Sequence, residues 1–471
     1  MKVGSRVSHE KFGIGEVRAV RDGGSSLRVK FQSRWFATWM PAKDLWDPDA
    51  APTPVVQTPL VAGPRAANAL SEAPMPAQRR LPVVRDDYRF SSRRLIEALR
   101  LGIVPPYEVP RFTFGRDDEQ AEIRGWLRDP QRNFRLLIGE YGAGKSHFLE
   151  CIRGLALAEQ FAVSLIALEP NESPLSRPKR VYRRLVQNLE YIDASHRRRG
   201  FREFLLEGAQ RPHQLWQEDN LLSTLYQDLK DGRLEEGRWD WIAGNEVCRK
   251  DRLYDDTTSA NIYCHLLSAY SVIARDCLGL KGLLLLFDEA EMIDAMATKT
   301  QVRRGLNFLR GLSLVAANDR RLLTEQNRDG SVHSGERFGS EQGRIGIETH
   351  LRYSGLLPIP FSVPQPAAVK AIFAFAPAVI LDDASFVEFD RLEIEPLTSA
   401  ALADALKETA TEYAKAYTFQ PPGTHQALLA HCLLERHFPS PRLFIKAGVE
   451  ALDLLRLYPD TDPHLVLGDA T

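Results

Sequence analysis

Residues Gly139-Glu140-Tyr141-Gly142-Ala143-Gly144-Lys145-Ser146 have the spacing G-x-x-x-x-G-K-S, and each residue type suits one job in holding a phosphate chain. Glycines let backbone N–H groups wrap phosphate oxygens, and a helix N-terminus adds partial positive charge. Lys145 can reach the β- and γ-phosphates of a nucleotide, and the Ser146 hydroxyl can ligate Mg²⁺. The expected cofactors are therefore ATP and Mg²⁺, bound by Gly139, Glu140, Tyr141, Gly142, Ala143, Gly144, Lys145, Ser146 and His147. A second constellation, Leu283-Leu284-Leu285-Leu286-Phe287-Asp288-Glu289-Ala290-Glu291, lies about 140 residues downstream. Asp288 would join Ser146 around the metal, and Glu289 would orient and deprotonate an attacking water. A glycine-rich turn with a chance lysine is common, and so is an apolar strand ending in acids. The two in one chain point to nucleotide binding and hydrolysis, with Lys145 and Glu289 as catalytic residues.

Both constellations need a sheet to carry them. Leu136-Leu137-Ile138 reads as a strand entering the loop, and Phe148-Leu149 opens a helix after it. A strand buried on both faces, Leu283–Phe287, would deliver two acids to the sheet's carboxyl edge. Residues 161–168 read as a further buried strand. Helices are expected around 178–192, where Val181, Leu185 and Leu189 share a face, and over 259–278. A capped helix is expected at 91–100 and another from Phe114 through Leu127. Residues 195–256 read as a helical insertion and 320–352 as a loop or hairpin insertion. The last strands are 369–376 and 391–394. Beyond Pro396 the pattern is helical, at Leu402–Tyr417, about 424–437 and Arg442–Leu457, which forms a lid. The fold class is α/β, a parallel sheet with a helical lid.

The amino-terminal part differs. Residues 1–47 alternate apolar and polar positions between glycines and carry Trp35, Phe36 and Trp39, so a small all-β module is expected. The aromatics either fill its core or remain exposed. Residues 48–85 are rich in Pro and Ala and read as a linker. Residues 86–395 then form the nucleotide-binding domain and 396–471 the lid. The chain's 471 residues, 44% hydrophobic and 26% charged, are those of an ordinary globular protein, and a net charge of −1 gives no global attraction to nucleic acid. Five scattered cysteines without a C-x-x-C pair argue against a disulfide framework or a zinc site. No apolar leader or membrane-length run occurs, so the expected location is cytoplasmic.

The pattern Val3-Gly4-x-Arg6-Val7-x-His9-x-x-Phe12-Gly13-x-Gly15-x-Val17 resembles the Tudor/SH3-like module of CarD-type regulators and UvrD-type helicases. That resemblance implies docking to a protein such as RNA polymerase. Strand, phosphate loop, helix, Asp-Glu strand and lid together resemble AAA+ P-loop NTPases. Arg93–Gly102, Gly115-Arg116, Gly139–Leu149 and Leu285–Glu291 are similar to the ATP-binding proteins of BREX phage-defence systems (the BrxD family), an ORC/Cdc6-like group. The resemblance implies an ATPase that couples nucleotide state to DNA engagement or partner assembly beside a helicase and other defence proteins. It also implies an oligomer with an arginine finger, for which Arg303, Arg304 and Arg310 are candidates. Two sensor positions depart from the pattern or stay open. Phe375-Ala376-Pro377 offers no polar sensor, so either the sensor is missing or the strand lies elsewhere. Arg442, opening a lid helix after Pro439-Ser440-Pro441, is either a second sensor touching the γ-phosphate or a lid salt-bridge residue. Residues 177–211 are the most basic stretch, and their cationic face either tracks DNA phosphates or is merely solvated. The rival to an ATPase is a nucleotide-gated scaffold with little turnover that recruits a partner through its Tudor-like module.

Overall fold

The structure is a computed structural model of the 471-residue chain. It describes residues 3, 5–9, 13–21, 26–31, 38–42, 88–217, 222–245, 260–296, 298–325, 343–345, 348–354, 365–378, 381, 389–420, 423–436 and 438–460. It divides into two units, Met1–Pro82 and Val83–Thr471.

In the first unit, β1 (Arg6–His9), β2 (Gly13–Arg21), β3 (Ser26–Phe31) and β4 (Thr38–Pro41) form an antiparallel meander. Val7, Val17, Leu27 and Val29 are its buried apolar residues. Trp35, Phe36 and the whole 48–85 stretch lie outside the described residues.

The second unit contains α1 (Tyr88–Arg100), α2 (Asp117–Arg128), β5 (Phe134–Gly139), α3 (Lys145–Ala158), β6 (Ala162–Ala167) and α4 (Pro178–Gln187). Next come β7 (Tyr191–Ile192), β8 (Arg198–Arg199), α5 (Phe201–Ala209), α6 (Tyr226–Lys230), α7 (Glu236–Ile242), α8 (Ala260–Val272) and β9 (Leu283–Asp288). The remainder is α9 (Lys299–Ala316), β10 (Gly343–Ile345), β11 (Arg352–Ser354), β12 (Val369–Phe375), β13 (Asp390–Ile394), α10 (Ser399–Tyr417), α11 (Gly423–Glu435) and α12 (Pro441–Leu457). Five strands make one parallel sheet in the order β13-β5-β12-β9-β6. Counted along the chain, that is fifth, first, fourth, third, second.

The period of two along each strand divides the core. Leu283, Leu285 and Phe287 of β9 face one cluster with Val369, Ala371 and Phe373 of β12. Leu284 and Leu286 face the other with Ile372 and Ala374, covered by α2 and α3 residues Trp126, Phe148 and Ile152. Unbroken apolar runs form these strands because both faces are covered. Phe287 and Phe373 stack at 4.1 Å between neighbouring strands.

Three details refine the sequence reading. The helix from 178 stops at Gln187, because Glu190 turns back to exchange hydrogen bonds with Val163 of β6 and Tyr191-Ile192 pair with Arg198-Arg199. The described part of 195–256 holds α5, α6 and α7, and its Phe204, Leu205, Trp216 and Leu225 join the main core. Helix α1 packs with the lid, since Leu95, Ile96 and Leu99 share a cluster with Leu406, Tyr413 and Leu452 of α10 and α12. The hairpin expected within 320–352 is present in its described part as β10 and β11, whose strand runs to Ser354.

At the amino edge of the sheet, Lys370 of β12 is buried and donates to Trp126 O (3.0 Å), Asp129 O (2.7 Å), Arg132 O (2.8 Å) and Asn133 Oδ1 (2.9 Å). It holds the α2–β5 turn against the central strand, and burial pushes its ammonium down to about 8. Lys370→Met would leave three carbonyls and an amide oxygen without this donor. The expected loss is about 2–4 kcal/mol of stability, read as a lower thermal or urea midpoint than the wild type. An unchanged midpoint would refute the latch.

Candidate nucleotide site

Parallel strands bring the carboxyl ends of β5, β12 and β9 to one edge, with β12 between the other two. Two interstrand spacings separate β5 from β9, roughly 10 Å. The loop 140–144 leaves β5 and delivers Lys145 as the first residue of α3.

Its glycines serve different ends. A Cβ on Gly139 would stand 2.7 Å from the Ile394 carbonyl of β13, so the close approach needs glycine. Gly142 and Gly144 have φ of +87° and +96°, in the left-handed region. A Cβ on Gly142 would also meet the Pro439 carbonyl at 2.6 Å, so the loop touches the lid at the turn before α12. No atom crowds the corresponding position at Gly144. Among the described residues, the N–H groups of Gly144, Lys145, Ser146 and His147 have no backbone acceptor outside the helix itself. They form the open N-terminal end of α3, where the helix's partial positive charge collects.

Lys145 is buried, and its ammonium donates to Gly139 O (2.8 Å) and Glu140 O (3.1 Å). The lysine thus folds back over its own loop, beside the position an anion would take. Ser146 is exposed on the first turn. Tyr141, at the loop tip, is 91% exposed and packs on nothing. His147 points elsewhere: its Nε2 lies 2.9 Å from Thr113 Oγ1, and that hydroxyl donates to Val109 O at 2.7 Å. Burial, aided by the Arg116 charge, holds the ring down to about 4, so it is neutral.

Across β12, Asp288 ends β9 and accepts the Glu289 N–H on Oδ1 at 3.0 Å. Glu289 has φ of +57°, an uncommon conformation for a non-glycine residue that turns it out of the strand. Desolvation, then the charges of Asp288, Glu291 and Glu169, raise its carboxyl above the ordinary range. Among the described residues no group of three or more His, Cys, Asp or Glu could hold a metal alone. Ser146 and Asp288 are hard oxygen donors. They fit Mg²⁺, which takes one or two protein ligands together with a nucleotide's phosphates.

Phe375 ends β12 between β5 and β9, and Ala376-Pro377 follow it. No polar side chain stands on that stretch. Glu291 reaches over from the loop after β9 and accepts the Ala376 N–H at 3.1 Å. Arg442 lies in the first turn of α12, packs over Gly102 and donates to Leu101 O at 3.3 Å. Arg303 and Arg310 are exposed on α9. In the basic stretch five of the ten cations pair with nearby acids. Arg184 pairs with Glu172, Arg197 and Arg199 with Asp193, Arg198 with Glu190, and Arg202 with Glu236. Arg180 donates to Asn171 O at 2.6 Å. Arg177 and Arg211 stay exposed.

Sequence reading gave no role to Thr113, Arg116, Glu169 or Glu291. Only Glu291, two residues past Glu289, carried a positional signal; the others reach the site through tertiary packing.

Against this geometry, residues 89–201, about a quarter of the chain, match the family described as BREX system ATP-binding protein BrxC/D. The match includes the phosphate loop and stops before β9. No curated protein matches. Among solved structures, a chain of the E. coli MS115-1 HORMA:CdnC:Trip13 complex is 13% identical at a TM-score of 0.37, covering 78% of this chain and 92% of that one. AMPPCP-bound DnaA from Aquifex aeolicus is 10% identical at 0.30, covering 73% and 62%. Drosophila ORC bound to AT-rich DNA and Cdc6 is 10% identical at 0.31, covering 84% and 46%. This chain thus spans less than two thirds of the DnaA and ORC chains. Among the described residues no helix is long and apolar enough to cross a membrane. Cys151, Cys264, Cys277 and Cys432 are buried free thiols.

The neutral His147 gives a pH prediction. Its folded value of about 4 lies below the ordinary 6.5, so the unfolded chain takes up its proton first as pH falls. Stability is lost between pH 6.5 and 4, by up to about 3 kcal/mol from this ring. The expected result is a shallower fall in urea midpoint over that range for His147→Gln. Parallel curves for the two proteins would show that the ring is not held neutral.

Proposed function

We propose that this protein binds ATP with Mg²⁺ and hydrolyses it, using the nucleotide state to set the position of its lid. One observation carries the reading: the buried Lys145 ammonium, held by two loop carbonyls, sits in the first turn of α3, at the same sheet edge where β9 ends in Asp288-Glu289. That sets a cation and two acids on either side of one strand, an arrangement suited to a polyphosphate with its metal. Lys145 would take the β- and γ-phosphates in exchange for the Gly139 and Glu140 carbonyls. Ser146 and Asp288 would hold Mg²⁺, which supplies charge neutralisation to the phosphates. Glu289, its carboxyl raised in pKa, would accept the proton of the attacking water. Arg442 would serve as the lid's phosphate sensor after leaving Leu101.

The family match supports placing this activity in BREX-type phage defence; the proposal adds a cytoplasmic location, an oligomer and a helicase partner. DNA engagement is part of the proposal, with Arg177 and Arg211 as the exposed cations of the basic stretch. The amino-terminal meander is read as a Tudor/SH3-like module that docks a protein partner. A second reading, a nucleotide-gated scaffold with slow turnover, is favoured by the Glu291–Ala376 contact, which puts a carboxylate where a polar sensor would stand.

Lys145→Ala is expected to weaken ATP binding on the order of 100-fold, the worth of a charge-assisted contact. Glu289→Gln should keep ATP binding and lower turnover by at least about 100-fold. Titration with a fluorescent ATP analogue and steady-state phosphate release, with and without duplex and single-stranded DNA, measure both. Undiminished ATP affinity in Lys145→Ala would defeat the site assignment. Tight binding with negligible turnover in the wild type would select the scaffold.

A further inference from the structure

Arg116 is buried, yet it belongs to neither constellation. It stands in the turn before α2, and its guanidinium reaches three separate parts of the unit. Nη1 pairs with Glu119 in the first turn of α2 at 2.7 Å. Nη2 donates to the Ala143 carbonyl of the phosphate loop at 3.0 Å and also to the Glu395 carbonyl just past β13. Thr398, three residues on, caps α10, the first helix of the lid beyond the sheet, through its hydroxyl on the Ala401 N–H at 3.2 Å. The arginine's own turn is pressed on that helix, since a Cβ on Gly115 would fall 2.8 Å from Ala401 Cβ.

The contact to Ala143 has a directional consequence. In a planar trans peptide the C=O of one residue and the N–H of the next point in opposite directions. Pinning the Ala143 carbonyl toward Arg116 therefore turns the Gly144 N–H away from it. Ala143 lies between Gly142 and Gly144, both at positive φ, so rotation of this peptide meets little steric resistance from its neighbours. The loop's sequence leaves the orientation free, and a buried donor outside the loop fixes it.

We propose that Arg116 is the positioning residue of the phosphate loop, aiming the Gly144 N–H at the nucleotide's phosphates and tying the loop to the root of the lid. The proposal rests on the reading of the loop as an ATP site. Arg116 itself touches no substrate; its two-nitrogen fork bridges Glu119 and the two carbonyls at once, which a lysine's single ammonium cannot reproduce with the same geometry.

The test is titration of the full chain with mant-ATP and mant-ADP in Mg²⁺, using wild type, Lys145→Ala, Arg116→Met, Arg116→Lys and Glu119→Gln. Nucleotide-free melting temperatures are recorded alongside. Arg116→Met is expected to weaken both nucleotides about tenfold or more, and Arg116→Lys to recover part of that loss. Glu119→Gln, which touches no loop atom, is expected to weaken them by about threefold through a less firmly held arginine, and it serves if Arg116→Met does not fold. A lower melting temperature with Kd within about twofold of wild type in the folded Arg116 variants, or in Glu119→Gln if they do not fold, would make Arg116 a fold residue only and overturn the proposal. Wild type and Lys145→Ala binding equally would instead remove the ATP-site reading, and the proposal with it.

Discussion

A buried ammonium without a carboxylate is the constraint on which this unit depends. Lys145 has two peptide carbonyls and, among the described residues, no acid in hydrogen-bond contact. The N–H groups beside it belong to the start of α3 and have no carbonyl partner within the helix. An uncompensated cation is costly to bury, and orphan donors add to that cost. The site is therefore held in a state that an anion would relieve, which is a physical reason for polyphosphate binding independent of any resemblance. Keeping such a loop folded requires rigid support, and the support is the parallel sheet below it and Arg116 beside it.

The acids on the other side of β12 carry the opposite problem. Asp288, Glu289, Glu291 and Glu169 repel one another, and this repulsion with desolvation raises the Glu289 carboxyl. Glu291 is relieved by the Ala376 N–H, which also closes the end of the central strand. Cation and acids are one strand apart and do not neutralise each other directly. Under the proposed function a magnesium–triphosphate would offer both charges, phosphate to Lys145 and metal to Asp288. The left-handed backbone at Glu289 is a local strain of the kind that collects at functional sites.

What the sequence disclosed follows from what is local. Leu283–Phe287 is apolar without a break and Gly139–Ser146 is a contiguous spacing, so the strand and the loop leading into α3 could be read directly. The three lid helices were legible for the same reason. The stop at Gln187 was not, because it depends on Glu190 bonding Val163, a contact between separate strands. Nor was the ion pairing in the basic stretch, since Arg184 meets Glu172 and Arg202 meets Glu236 only once loops and helices have packed. Arg116 illustrates the limit: one arginine before a helix looks like any capping-region charge until Ala143 and Glu395 are brought to it.

The lid's core restricts how Arg442 could act. Helix α1 belongs to that core, packed with α10 and α12, and Arg100 pairs with Asp453 across it. Leu101, whose carbonyl holds Arg442, follows α1 directly, so donor and acceptor both ride on the lid body. Rotation of the lid as a rigid piece would carry the pair along unbroken and leave the guanidinium turned to Leu101. Only a side-chain rearrangement frees it, and the bond to one carbonyl is long and exposed, worth about 1 kcal/mol at most. A γ-phosphate near Pro439-Ser440, where Gly142 already touches the lid, offers a charged acceptor in its place. Lid position and arginine position are thus separable variables.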